Sequence, residues 1–185
     1  MTSTNLEIEM VAAASRVRQE HIDRMLELGV PGAAIAALGA IQPVFGITAA
    51  LPERSHIYQP GDGPAHVVMP VMDMGEMVDL IAWRTTNPAR WFWRTGLGWA
   101  LGTDWLLPRW DNGPVRLFAT PLEWLANAGE GMCILDWAAP EIREMAMLDA
   151  IEADEMVGRR LLSILSKPVR LPRMVYRKEV KRAAA

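Results

Sequence analysis

Apolar and polar positions recur with two different periods along this chain, and the change of period divides it into regions. From residue 5 to 28, Met10, Ala14, Val17, His21, Met25 and Leu28 fall at helical spacing. Arg16, Arg18, Glu20, Asp23 and Glu27 fill the remaining positions, which predicts one amphipathic helix. Gly29 suits a helix C-terminus, and Pro31 suits the first turn of a second short helix through Leu38. Two helices joined by a tight turn resemble a helix-turn-helix. The second, however, reads PGAAIAAL and carries no side chain able to hydrogen-bond a base edge. Its small residues predict close packing against another element.

Beyond Pro43 the period shortens. Residues 44–50, 55–59, 65–72 and 77–83 are short runs rich in β-branched or apolar residues, which predicts four strands. Gly61-Asp62-Gly63-Pro64 and Asp73-Met74-Gly75-Glu76 supply turn chemistry between them. Connections this short favour an antiparallel meander. Pro70 has no N–H to give a ladder, so its strand belongs at an edge or a bulge. Asn87-Pro88 reads as an N-cap followed by proline at the first helical position, predicting a short helix to Thr95. The Gly- and Trp-rich residues 96–114 fit no regular pattern.

Residues 115–119 form the next expected strand. Thr120-Pro121-Leu122-Glu123 then matches a capping box, starting a helix to Ala128 that stops at Gly129. A strand over 132–136 follows, so this strand–helix–strand unit predicts parallel pairing through a short crossover. Pro140 opens a long helix to Ser166 with apolar residues on two sides, Ile142, Met145, Met156, Leu161 and Ile164 on one, Leu148, Ile151, Leu162 and Leu165 on the other. The expected fold class is α+β. It comprises an N-terminal helical hairpin, a mostly antiparallel sheet with one parallel unit, and a long C-terminal helix. These make one domain over residues 1–166, with a basic, extended arm at 167–185.

Composition agrees with a folded chain. Apolar residues make up 51% and charged residues 22% of 185 residues, too apolar for a disordered segment and long enough for one domain core. No apolar run approaches the roughly 20 residues of a membrane span. The N-terminus MTSTNLEIEM lacks the basic and apolar regions of a secretory signal, so a cytoplasmic location without membrane contact is expected. The single cysteine, Cys133, sits in an apolar run without a cationic neighbour and is expected to be a buried, unreactive thiol.

Charge changes the picture. Residues 158–185 hold nine basic residues and one acid, a net +8. Ten basic and 21 acidic residues, a net −11, remain in the rest. Such asymmetry points to an arm with a partner. Arg170, Arg173, Arg177, Lys178, Lys181 and Arg182 would contact phosphates, with Tyr176 placed to stack on an exposed base. An acidic protein surface, the acidic body itself or a neighbouring subunit are the competing partners.

Trp83, Trp91, Trp93, Trp99, Trp105 and Trp110 crowd into 28 positions, with Arg84, Arg90, Arg94 and Arg109 interleaved. They form either an aromatic core or a pocket wall; the candidate pocket is Trp83, Trp91 and Trp93 with Asp136. Asp73, Glu76 and Asp79 gather at one turn, and Asp136 ends a strand beside Thr120. Yet no metal or acid–base spacing such as HExxH is present, so no catalytic residue, metal or cofactor is assigned. His56 and His66 would face one another across a hairpin, but a metal site needs a third ligand.

Thr120-Pro-Leu-Glu-Trp-Leu125, Gly131 and Ile134-Leu-Asp-Trp137, preceded by Asp79-Leu80 and Asn87-Pro-Ala-Arg-Trp91, resemble a group of short uncharacterised proteins of GC-rich bacterial genomes, some beside phage-type replication genes. The sixteen arginines against three lysines fit such an origin. The resemblance implies no particular activity and adds a nucleic-acid context. The sequence therefore favours a non-enzymatic accessory protein acting through the basic arm. A small enzyme or ligand-binding protein with a Trp-lined pocket, and a homo-oligomeric assembly subunit, are the alternatives.

Overall fold

A computed structural model describes residues 5–40, 43–53, 55–108 and 113–168. The fold is α+β, with N-terminal helices, a four-stranded antiparallel sheet, a second mixed sheet and a C-terminal helix.

The N-terminal apolar stripe is divided between two helices, α1 (Leu6–Ala14) and α2 (Gln19–Glu27), where the sequence predicts one. The reason lies in what each half covers. Met10 and Ala13 of α1 pack on one face of the first sheet with Tyr58, Val68, Leu80 and Phe92. Met25 of α2 packs on the opposite face with Val67, Met69, Ile81 and Trp83. A straight helix covers one face only, so the chain breaks after Ser15 and crosses over. Asn5 caps α1 through Ile8 N, and the Arg18 amide donates to His21 Nδ1 at the start of α2. The small-residue helix α3 (Gly32–Leu38) follows as expected.

The first sheet has the order β1 (Gly46–Pro52), β2 (Tyr58–Asp73), β3 (Glu76–Arg84) and β4 (Asn87–Trp93), all antiparallel. Residues 61–64 are not a hairpin turn. Ala49 pairs with Ala65 but Ala50 with Pro60, so they bulge out of one continuous strand, β2. β2 is an inner strand, not the edge strand expected for Pro70, but the ladder with β1 ends at Val68, so Pro70 pairs only with β3, opposite Leu80, and the missing N–H is tolerated.

The expected helix over 87–95 is instead strand β4. Trp91, Phe92 and Trp93 pair with Trp83, Ala82 and Ile81. Alternation decides it. Phe92 joins the cluster under α1, while Trp91 and Trp93 join the opposite one, so the three aromatics serve two cores only as a strand.

The second sheet has the order β5 (Ala100–Leu101), β7 (Met132–Ile134), β6 (Val115–Phe118) and β8 (Ile151–Ala153). β6 and β7 pair in parallel around helix α4 (Pro121–Ala126), as the sequence predicts. Thr120 Oγ1 accepts from Glu123 N at 3.2 Å, and the Glu123 carboxylate reaches back to Ala119 N at 3.0 Å. The long helix expected over 140–166 is three elements: a 3-10 stretch (Pro140–Met147), β8, and helix α5 (Glu155–Leu165). Parallel pairing of β8 with β6 wins over helical continuation, and Asp154 Oδ1 restarts the helix by accepting from Val157 N at 2.9 Å. Residues of both apolar sides read in the sequence gather in one cluster, Ile142, Met145 and Leu161 with Leu148, Ile151 and Leu165, on one face of this sheet, while Met156 and Leu162 stay exposed. The other face packs towards the first sheet through Leu101, Phe118, Cys133 and Leu135.

Candidate functional site

β2, β3 and β4 carry a basic groove at the end of the first sheet that α1 leaves uncovered. Pairing places Val67 opposite Trp83, so the preceding His66 lies beside Arg84 on the α1 face. Arg90 stands two residues before Phe92 on the same face, its guanidinium 5.1 Å from the ring centroid. Pro52, Pro64, Thr86 and Asn87 complete a groove of about 370 Å³. No carboxylate lines it, in a body whose acids outnumber its bases. Arg84 and Arg90 are exposed and make no ion pair among the described residues.

His66 is almost wholly buried in the wall of this groove, 1% exposed. Its Nδ1 lies 2.7 Å from the Pro64 carbonyl oxygen, which can only accept, so Nδ1 carries the proton. The lone pair at Nε2 is buried with no partner. Burial holds the imidazole below its usual pKa. The Pro64 hydrogen bond opposes this and the Arg84 charge adds to it. An unfolded histidine titrates near 6.5 and the folded one lower, so on acidification the unfolded chain takes up the proton first. The stability due to neutral His66 is thus complete above about pH 6.5 and declines as pH falls below it. His66→Gln is expected to flatten that decline, read as urea midpoints across the range.

The other histidine expectation is resolved by the same ring. His56 stacks on Phe92 at 6.5 Å and His66 meets it edge-on at 6.4 Å, so both rings pack on an aromatic. Among the described residues, no three His, Cys, Asp or Glu side chains cluster to hold a metal.

Three of the four carboxylates singled out in the sequence are occupied structurally. Asp79 is fully buried and accepts six backbone N–H groups. Oδ1 takes those of Leu80, Arg94 and Thr95; Oδ2 takes those of Gly96, Leu97 and Gly98, at 2.7–3.1 Å. It is the hub that folds the segment after β4. Arg94 in turn grips Glu9 of α1 with both ends of its fork, at 2.8 and 3.0 Å. That pairing, ahead of any other influence, raises the Arg94 pKa, and burial raises that of the neighbouring Tyr58. Asp73 accepts from Thr103 Oγ1 at 3.0 Å, and Asp136 closes a turn with Ala138 N at 2.8 Å. Glu76 is exposed at the β2–β3 turn.

The candidate pocket of Trp83, Trp91, Trp93 and Asp136 is not brought together. Trp83 is fully buried, its indole N–H 3.3 Å from Met69 Sδ. Trp91 and Trp93 are half-buried beside it, and Asp136 lies beyond β7 of the other sheet. A different indole pair, Trp105 and Trp124, walls a cleft of about 230 Å³ with Leu38, Pro70, Met72 and Thr103. Trp105 donates to Gly129 O and Trp124 to Gly131 O. Trp124 lies outside the crowded tryptophan run, so only tertiary packing reveals the pairing. Cys133 is buried, and burial raises its pKa, in keeping with an inert thiol.

Arg170, Arg173, Tyr176, Arg177, Lys178, Lys181 and Arg182 lie outside the described residues. Helix α5 ends at Leu165, and Ser166, Lys167 and Pro168 are exposed, so the chain enters the basic segment at the surface. Exposed Leu162 lines an apolar groove of about 480 Å³ beside β8, the edge strand of the second sheet, and exposed Met147 flanks it. Among the described residues no helix is long and apolar enough to cross a membrane.

Fold and groove together define an α+β protein with a carboxylate-free basic groove on a largely acidic body. No protein-family model matches the chain, and no curated protein or solved structure is significantly similar to it.

Proposed function

We propose that this is a non-enzymatic binding protein that contacts nucleic acid through its basic C-terminal segment. The observation that carries the reading is the partition of charge, a net +8 over residues 158–185 against −11 elsewhere. Arg170, Arg173, Arg177, Lys178, Lys181 and Arg182 neutralise phosphates, and Tyr176 stacks on a base. Two structural facts support it. The segment departs from an exposed helix end, and Asp73, Asp79 and Asp136, which an acid–base reading would use, are committed to backbone and side-chain partners. An acidic protein surface is the competing partner for the same charges. The ligand-binding alternative now rests on the Trp105–Trp124 cleft.

The test is a fluorescence titration with single-stranded and duplex DNA and RNA over a range of salt. It compares the native chain with a variant in which the six basic residues are glutamine. Saturable binding that weakens steeply with salt is expected. Neutralisation lowers the slope of log K against log salt by about 4 if all six side chains contact single-strand phosphates. Absence of binding at low salt, or binding indifferent to the six substitutions, overturns the reading. Binding to an acidic protein alone assigns the arm to a protein partner.

A further inference from the structure

We propose that the groove formed by His66, Arg84 and Arg90 is a binding site for a terminal phosphate, a phosphomonoester dianion. This site lies on the body of the protein and stands independently of the basic arm. Three observations converge. Two exposed guanidiniums, without ion-pair partners among the described residues, flank one groove, and no carboxylate lines it. Such a charge pair matches the two negative charges of a phosphomonoester better than the single charge of a phosphodiester. In the wall between them His66 is held by Pro64, and its Nε2 is buried without a partner. That nitrogen is satisfied when the ring takes a proton from solvent as the ligand binds and donates it to an oxygen of the dianion, with a small side-chain adjustment at the wall.

Apolar walls complete the fit. Pro52, Pro64 and Phe92 line the groove with apolar surface, against which a charge-assisted hydrogen bond is stronger than in open water. Arg90 already rests over the Phe92 ring, which restrains the guanidinium before the ligand arrives. Asn87, at the exposed start of β4, adds a neutral donor at the rim.

The experiment follows the imidazole ¹⁵N resonances of His66 in the full chain, assigned by loss in His66→Gln, during titration with four ligands. These are inorganic phosphate, adenosine monophosphate, and a short oligonucleotide with and without a 5′-phosphate. Expected are saturable shifts of the His66 ring with the monophosphate and the 5′-phosphorylated oligonucleotide. The 5′-hydroxyl oligonucleotide should leave that ring unmoved even where it binds the arm. Inorganic phosphate acting like the monophosphate names the free ion as a sufficient ligand. Arg84→Gln combined with Arg90→Gln is expected to weaken binding at least about tenfold, as befits loss of two charge-assisted contacts. Both residues are exposed, and an unchanged thermal midpoint verifies that the variant folds. The proposal is overturned if no phosphate ligand moves the His66 ring, if the double variant binds equally well, or if the 5′-hydroxyl oligonucleotide shifts the ring as strongly. The arm-neutralised variant should retain the His66 response, so failure of either reading shows separately.

Discussion

Asp79→Asn is expected to destabilise the protein nearly as much as Asp79→Ala, although asparagine has almost the same shape. Each carboxylate oxygen accepts three backbone N–H groups, those of Leu80, Arg94 and Thr95 at one and Gly96, Leu97 and Gly98 at the other. An amide has one oxygen. Whichever way it is flipped, its NH₂ group faces three donors, which are left without an acceptor. A buried polar group stripped of its partner costs about 1–3 kcal/mol, so the loss is expected to reach at least about 3 kcal/mol even if some donors regain water. Set against a typical stability of about 5–15 kcal/mol, that is a large fraction. Chemical unfolding checks the magnitude. Hydrogen exchange checks the cause, because protection of the amides at 94–98 should vanish before that of the β2–β3 ladder. An Asp79→Asn protein as stable as the native one would show that the hub is dispensable. The effect reaches α1 as well, since Arg94 both donates to Asp79 and grips Glu9.

Gly46→Ala is expected to be strongly damaging as well. A Cβ built on Gly46 would lie 2.5 Å from the Ala13 carbonyl carbon, 2.5 Å from its Cβ and 2.6 Å from Ala14 N. These are atoms of the α1 backbone or anchored directly to it, and carbon atoms at rest sit about 3.5–4 Å apart. The helix must lift from β1 by about 1 Å. Lifting it loosens Met10 and Ala13, both buried against the sheet, together with the Glu9–Arg94 pair. Overpacking of a rigid core contact costs about 1–3 kcal/mol, and the upper end applies where backbone must move. Ala13→Gly removes only one of the three colliding atoms, so the double variant should recover part of the loss. Full recovery would place the strain in the side chain alone. Thermal unfolding of the single and double variants decides between these outcomes.

Much of the architecture was legible because it rests on local rules. The capping box at Thr120 and Glu123, the parallel unit around α4 and the buried Cys133 all follow from residues within a few positions of one another. Pro70 announced a position unpaired on one side in the same way. What failed was the reading of period where two cores share one segment. Trp91, Phe92 and Trp93 look like a crowded helix until β3 supplies a partner for each, and Ile151 lies in a helical pattern until β6 offers a parallel neighbour. The break after Ser15 belongs to the same class, since one apolar stripe had to serve two faces of a sheet.

The candidate groove was not legible at all, though its components were. Arg84 and Arg90 appeared as part of a tryptophan-rich run, and His66 as half of a histidine pair. Their meeting depends on strand register, which sets His66 and Arg84 side by side and carries Arg90 over Phe92. The amino-acid sequence by itself determined the α+β class, the charge partition, the Thr120 cap and the turn between β2 and β3, because propensity, charge and capping act over a few residues. Only the tertiary structure decided which face each strand residue occupies, that Asp79 is a buried hub and that His66 lies beside two exposed arginines, because those depend on register and on desolvation by distant segments.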